Sequence, residues 1–330
     1  MTPSISVVIP VFNGETTIGQ SLQAVTQQRF HQHIQIIVVD DGSTDKTADI
    51  IKSYPTVKYI YQKNSGPAAT RNRGAQEASG DFIFFTDADC LPQPEWVVRM
   101  MSRFSDPQIG VVAGSYGIAN SQNPLANCIQ QEILFRHHKL MPDFPKSFGS
   151  YNFCARKKVF FEAGGFDPGY RFASGEDNDL SYKILKAGYK IYFERTALVD
   201  HYHTEDLDRY LREQFRHGFW RAKMYRNHPD MMRGDDYTFW KDIVEVPLVL
   251  LSFLNSLFFL PPLLWLQFAA GISIFLLIFL ELFYGFYMLK NFKMGLFFGF
   301  VMLLRAFSRT LGFCSGILQF VPQKPFKISK

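Results

Sequence analysis

Four short segments combine residue types and spacings that can do chemistry. Asp87-Ala88-Asp89 sets two carboxylates one residue apart. At a strand end such a pair can reach one divalent cation, since Mg2+ and Mn2+ favour hard oxygen ligands and hold phosphate oxygens as well. A solvated turn is the plainer reading of the same residues. Asp40-Asp41-Gly42-Ser43-Thr44-Asp45 follows an apolar run. Ser43 or Thr44 suits a helix N-cap, and a carboxylate at the sheet edge can also accept the N–H of a nucleobase. Asn64-Ser65-Gly66-Pro67-Ala68-Ala69-Thr70-Arg71-Asn72 opens a helix with small residues. Such an N-terminus admits an anionic group, and Arg71 can contact a phosphate; a simple helix start at Gly66-Pro67 is the plainer reading. Gly175-Glu176-Asp177-Asn178-Asp179 is a second acidic cluster. Acids favour the positive end of a helix, but Glu176, Asp177 and Asp179 together exceed what capping requires. In a closed site one of them can act as general base on an acceptor hydroxyl.

These segments need elements to position them, and hydrophobic periodicity supplies alternating strands and helices. Ile5–Ile9, Ile34–Val39, Val57–Tyr61 and Asp81–Thr86 read as strands, and Glu15–Gln28, Asp45–Tyr54 and Ala68–Ala78 as helices. This order implies a parallel sheet with right-handed crossovers, whose ligands sit beyond the carboxyl ends of the strands. Further on, Pro124–Leu140, Lys157–Ala163, Glu176–Ala187 and Leu207–Tyr225 read as helices, and Asn152–Ala155 and Lys190–Phe193 as strands.

Composition excludes several classes. The 330 residues are 47% hydrophobic and 20% charged, which rules out intrinsic disorder. Cys90, Cys128, Cys154 and Cys314 are too scattered for a disulfide scaffold or a zinc ribbon. Pro10-Val11-Phe12-Asn13-Gly14 stands where a dinucleotide-binding glycine fingerprint would follow the first strand, and there is no P-loop. Met1-Thr2-Pro3-Ser4 lacks a basic n-region and Ile5–Pro10 is too short for a signal core, so the soluble domain is expected to fold in the cytoplasm.

Taken together the segments resemble the family 2 glycosyltransferases. The matching residues are Ser6-Val7-Val8-Ile9-Pro10-Val11-Phe12-Asn13, Val38-Val39-Asp40-Asp41-Gly42-Ser43-Thr44-Asp45, Gly66-Pro67-Ala68-Ala69-Thr70-Arg71-Asn72, Asp87-Ala88-Asp89 and Gly175-Glu176-Asp177, in that order. The resemblance extends over roughly residues 4 to 225. It implies an α/β GT-A fold: a nucleotide-sugar-binding, Rossmann-like, mostly parallel sheet. It also implies roles. Pro10 and Phe12 flank the base and Asp41 accepts from its ring N–H. Arg71 lies near the diphosphate or ribose, and Asp87 contacts the ribose or the metal's water shell. Asp89 ligates Mn2+ or Mg2+, and Asp177, with Glu176 beside it, is the catalytic base of an inverting transfer. The donor implied is a nucleotide-diphosphate sugar of the UDP type.

Two further points refine the expectation. Processive synthases of the family carry Gln-x-x-Arg-Trp after the catalytic acid. Here the nearest stretch is Gln214-Phe215-Arg216-His217-Gly218-Phe219-Trp220, so a single transfer is expected. His201-Tyr202-His203 follows a strand-like segment, and His203 is taken as a third metal ligand beside Asp89 and Asp87.

Between Ile243 and Leu289 the only charged residues are Glu245 and Glu281. A spanning helix needs about 20 apolar residues. The expectation is therefore a cytoplasmic domain over 1–235 and a membrane region over 236–330, with spans near 244–263 and 266–288 joined at Pro261-Pro262. Arg221, Lys223, Arg226 and Arg233 before the pair, and Lys290 and Lys293 after it, put both ends on the cytoplasmic side of a multi-pass inner-membrane protein. Leu296–Gly316 is read as an interfacial helix, with Arg305 and Arg309 at the headgroups. The Arg-rich Leu207–Arg226 stretch suits a membrane-surface helix that admits an anionic, lipid-linked acceptor. No nucleic-acid motif accompanies these charges, so nucleic acid is not expected as a partner. The acceptor expected is a lipid-linked saccharide or envelope precursor. A polyprenyl phosphate, or a non-catalytic scaffold with this fold, is the alternative.

Overall fold

Runs of β-branched and aromatic residues build the sheet of this computed structural model, which describes residues 4–233, 236, 240–257 and 264–320. The expected Pro261-Pro262 turn lies outside the described residues. Along the chain come β1 (Ile5–Val11), α1 (Ile18–Thr26), β2 (Ile34–Asp40), α2 (Thr47–Lys52), β3 (Val57–Tyr61), α3 (Pro67–Glu77), β4 (Phe82–Thr86), β5 (Cys90–Pro92), α4 (Trp96–Met101), β6 (Ile109–Ile118) and α5 (Pro124–Phe135). A π-helical turn, Arg136–Leu140, leads to β7 (Asn152–Arg156), α6 (Lys157–Glu162), α7 (Glu176–Lys186) and β8 (Lys190–His201). The remaining helices include α8 (Leu207–Asn227), α9 (Trp240–Leu257), α10 (Leu264–Met288) and α11 (Phe292–Phe320).

Two compact units result. The first comprises residues 1–121 and 133–203; the second comprises 122–132 and 204–330. The chain passes from the first unit to the second at His203/Thr204, and α8 groups with the C-terminal helices.

In the first unit the eight strands lie in the order β3-β2-β1-β4-β7-β6-β8-β5. β3, β2, β1 and β4 run parallel, as their alternation with helices requires. The rest of the sheet is mixed: β7 is antiparallel to β4 and β6, β8 is parallel to β6, and β5 is antiparallel to β8. Val7, Val8, Ile9, Ile37, Val38, Val39, Phe84 and Phe85 are all fully buried, as befits strands covered on both faces. Each such side chain contributes about 1.5–3 kcal/mol of hydrophobic stabilisation. Asn152 locks the mixed half. Its amide donates to the carbonyls of Ser115 and Ala197, and its oxygen accepts from the Trp96 indole.

Register brings the loops together. Val11 pairs with Asp40 and Val8 with Phe85, so β1, β2 and β4 finish at one edge. Antiparallel pairing of Thr86 with Asn152 delivers the 147–151 loop to the same edge. β8 is longer than the expected Lys190–Phe193. Residues 195–197 loop out as a bulge opposite the Gly114/Ser115 step, and pairing resumes at Leu198 and continues to His201. His201 therefore sits on a strand, opposite Cys90 of β5.

The second unit is helical. α11 approaches α8 so closely that a Cβ at Gly312 would lie 2.0 Å from the Phe215 carbonyl oxygen. Two helices, Gln267–Met288 and Phe292–Phe320, are long and apolar enough to cross a membrane. The first coincides with the expected span near 266–288; the second covers the stretch read as an interfacial helix. The helix over the first apolar run, α9, carries Lys241, Asp242 and Glu245 in its first two turns. Arg305 was expected at the headgroups; it is instead wholly buried. It pairs with Glu132, with Asp242 at 2.8 Å and with Glu245 at 3.4 Å. Lys241 joins Glu245 to Glu281, and Arg309 reaches Asp242 at 3.3 Å. Burial without such pairing would cost several kcal/mol per charge.

Candidate active site

The site is built at the carboxyl edge of β1, β2 and β4 from loops that hold one another. Asn13 adopts a left-handed backbone, φ 51°, and its amide oxygen accepts the Thr44 N–H at 2.8 Å. Ser43 Oγ accepts the Asn13 N–H in return. Ser43 and Thr44 are thus loop ties, not the expected N-cap; α2 begins at Thr47, whose N–H is held by Asp45.

Phe12, at the end of β1, is 53% exposed, an aromatic face left open beside half-buried Pro10. Asp41, expected to accept a base N–H, also has a structural task. It is buried, and its oxygens already accept from the backbone N–H groups of Ser65 and Gly66 at 2.8 and 2.9 Å and from Gln62 Nε2 at 2.7 Å. It shapes the turn that starts α3. Gly66 is needed there: its φ is +88°, and a Cβ would meet the Arg171 carbonyl oxygen at 2.9 Å.

That turn aims Arg71, on the first turns of α3, into the interior. Its guanidinium is buried and donates to Asp87 Oδ1 at 2.6 Å and to Glu176 Oε1 at 3.2 Å. The first half of the Asp-x-Asp motif is therefore ion-paired within the protein, and Glu176 is drawn to it. The Ser174 N–H donates to the other Glu176 oxygen at 2.6 Å. Gly175 permits the bend before α7 with φ 89°. Asp177, next in the chain, is less enclosed. Backbone N–H groups of Asn178, at 2.8 Å, and of Ser150 hold its carboxylate. Burial raises the pKa of both neighbouring acids. Their mutual repulsion adds to the rise at Glu176, while Arg71 opposes it at both. Glu176 is thus tied directly to Arg71, while backbone N–H groups hold Asp177.

Asp89 faces the other way, toward β8. His201 Nε2 is 3.5 Å from Asp89 Oδ2. Among the described residues, Asp89, Cys90 and His201 form the cluster whose ligating atoms lie within 4.8 Å of one another. Cys90 is fully buried, and its soft sulfur is a poor match for a hard cation. The carboxylate and imidazole that remain, with Asp89 38% exposed, fit a divalent ion of the Mn2+ or Mg2+ type that leaves positions for phosphate oxygens. His203, the expected ligand, stands behind His201 instead, and Asp87 is engaged by Arg71. The bulge in β8 is the reason His201 is hard to read from spacing; the Asp89 backbone oxygen also accepts the Tyr202 N–H, which fixes the two segments together.

Tyr116 is a further residue that sequence reasoning did not single out. Its ring stacks on Tyr151 at 3.5 Å between centroids and leans on His201 at 5.0 Å.

The profile of Glycosyl transferase family 2 matches residues 6–165. The pre-mycofactocin glycosyltransferase of Mycobacterium tuberculosis is 29% identical over 235 residues, covering 68% of this chain and 48% of that protein. Glycosyltransferase AglE of Haloferax volcanii is 28% identical over 224 residues, covering 66% of this chain and 72% of that protein. This chain thus spans about half the length of the first of these relatives. The structure of the mannosyltransferase PcManGT from Pyrobaculum calidifontis, in complex with GDP-Man and Mn2+, aligns with a TM-score of 0.59 at 16% identity. It covers 94% of this chain and 88% of that one, a likeness of fold.

Proposed function

We propose that this chain, whose residues 6–165 match the profile of Glycosyl transferase family 2, moves one sugar from a nucleotide-diphosphate sugar to a lipid-linked saccharide at the cytoplasmic face of a membrane, with inversion at the anomeric carbon. Phe12 and Pro10 offer the base an apolar wall, and the turn held by Asp41 shapes the pocket floor. Arg71 draws Glu176 toward Asp87 and so brings the acid cluster of α7 to the donor edge. Asp177 takes the proton from the acceptor hydroxyl. That oxygen bonds to C1 as the C1–O bond to the diphosphate breaks, and the nucleoside diphosphate leaves with the electron pair. A divalent cation bound by Asp89 and His201 would supply charge neutralisation for the diphosphate.

The observation that carries this reading is the Arg71 bridge between Asp87 and Glu176, which joins donor and base sides through one buried cation. Membrane attachment rests on α10 and α11. Arg221, Lys223, Arg226 and Arg233, which precede both helices, favour a cytoplasmic position for the chain that enters the hairpin.

The test is turnover by full-length protein in native membranes, with Mn2+ and a panel of UDP- and GDP-sugars. Released nucleoside diphosphate and glycosylated lipid are read together. Transfer that disappears in Asp177→Asn while donor binding persists supports the assignment. Donor binding without turnover over a broad acceptor panel would favour a scaffold, and recovery of the protein in the soluble fraction would remove the membrane component.

A further inference from the structure

The two histidines of His201-Tyr202-His203 point to the same side of their segment, as residues two apart on extended chain do. Their Nδ1 atoms stand 2.9 Å apart. His203 is 5% exposed, and its backbone is clamped by Asn120, which donates to its carbonyl at 2.7 Å and accepts its N–H at 3.1 Å. Tyr116 closes on both rings, with centroids 5.0 Å from His201 and 5.7 Å from His203. His201 Nε2 is the atom turned toward Asp89.

A neutral imidazole carries one N–H, so two facing Nδ1 atoms make a hydrogen bond only if one donates and the other accepts. A cation beside Asp89 requires a lone pair on His201 Nε2. The proton of His201 must then sit on Nδ1. We propose that His203 is a positioning residue for metal binding: its Nδ1 accepts the Nδ1–H of His201 and thereby holds that ring in the tautomer and orientation that presents Nε2 to the ion. This goes beyond the assignment of His201 as ligand and rests on the metal-dependent reading of the site. Acceptors behind a ligating histidine are worth about 10–100-fold in metal affinity.

The test uses full-length protein in detergent and Mn2+ affinity by electron paramagnetic resonance, with no turnover required. In asparagine, Oδ1 occupies the place of the histidine Nδ1 and can accept the same bond; in leucine, a methyl group fills it. We expect His203→Leu to weaken Mn2+ binding about 10–100-fold and His203→Asn to stay within a few-fold of wild type. Nitrogen-15 spectra of wild type loaded with diamagnetic Zn2+ should show the His201 proton on Nδ1, a result that needs no variant to fold. Wild-type affinity in His203→Leu, equal losses in both variants, or a His201 proton off Nδ1 would overturn the inference while leaving the metal site intact. Failure of wild type to bind Mn2+ would overturn the metal reading and this inference with it.

Discussion

Nη1 of Arg71 stands 3.2 Å from Oε1 of Glu176, 105 residues away in the chain, with both side chains almost wholly buried. The second arm of the same guanidinium holds Asp87. Removing one partner of a buried pair leaves the other charge uncompensated, at a cost of about 3–5 kcal/mol. Arg71→Met should therefore lower stability by that order in urea titration and abolish transfer. Arg71→Lys keeps the charge but loses the two-armed geometry, so it should fold better than Arg71→Met yet remain poorly active. The double variant Arg71→Met/Glu176→Gln should regain part of the lost stability, because the orphaned carboxylate is gone. A loss in the double variant equal to the sum of those in Arg71→Met and Glu176→Gln alone would mean that the bridge is not coupled.

Asp177 and Glu176 separate by their surroundings. Asp177→Asn should reduce kcat by about 10²–10⁴ with little change in donor binding, the usual scale for a lost general base. Burial raises the Asp177 carboxyl above the ordinary carboxylate range. The base works when ionised, so activity should fall as pH drops through a value above about 3.9, the unperturbed figure. The effect on stability has the opposite sense. A raised folded-state pKa stabilises the fold at low pH, and that contribution is lost as pH rises through the folded value. A kcat profile flat down to pH 4 would exclude this acid as the base.

Much of the donor edge is legible from pattern alone. Asp87, Asp89 and the α3 start follow from apolar strands that end in polar turns, because chain direction and the parallel crossover rule decide where strand ends go. What pattern cannot carry is partner choice. Asp41 reads as an open acceptor, and the pattern gives no sign that its oxygens also hold the turn at Ser65 and Gly66. His201 is hidden by the 195–197 bulge, which carries β8 past the polar residues that suggest an early end. Arg305 reads as too polar for burial, because Glu132 and Asp242, which pair with it, lie far off in sequence.

His137, in the π-helical turn, makes a pH-dependent contribution to stability. Its Nδ1 is 2.8 Å from Ser115 Oγ, and burial pushes its pKa down to about 3. The unfolded chain binds this proton near pH 6.5 and the folded chain does not. The stabilisation is therefore present above about pH 6.5 and is lost as pH falls toward 3, by about 1.4 kcal/mol per unit at most. His137→Asn keeps a partner for Ser115 and cannot titrate. Between pH 7 and 5 its urea midpoint should shift less than that of wild type. Parallel shifts would show that His137 takes up its proton equally in both states.

The helical unit gives a prediction through two glycines with opposite surroundings. At Gly312 a Cβ would sit 2.0 Å from the Phe215 carbonyl oxygen, and at Gly218 of α8 it would sit 2.1 Å from that of Arg309. Backbone stands on backbone here, and neither side has a flexible tip to move. Gly271 of α10 has nothing within 4 Å of the same position. Gly312→Val must part α8 from α11, which should cost at least the 1–3 kcal/mol or so typical of overpacking. Gly271→Ala replaces the weaker helix former in open space and should raise stability by about 0.5–1 kcal/mol. Thermal unfolding of the detergent-solubilised variants compares the two directly. If Gly312→Val melts with wild type, α8 and α11 do not touch as closely as this packing requires.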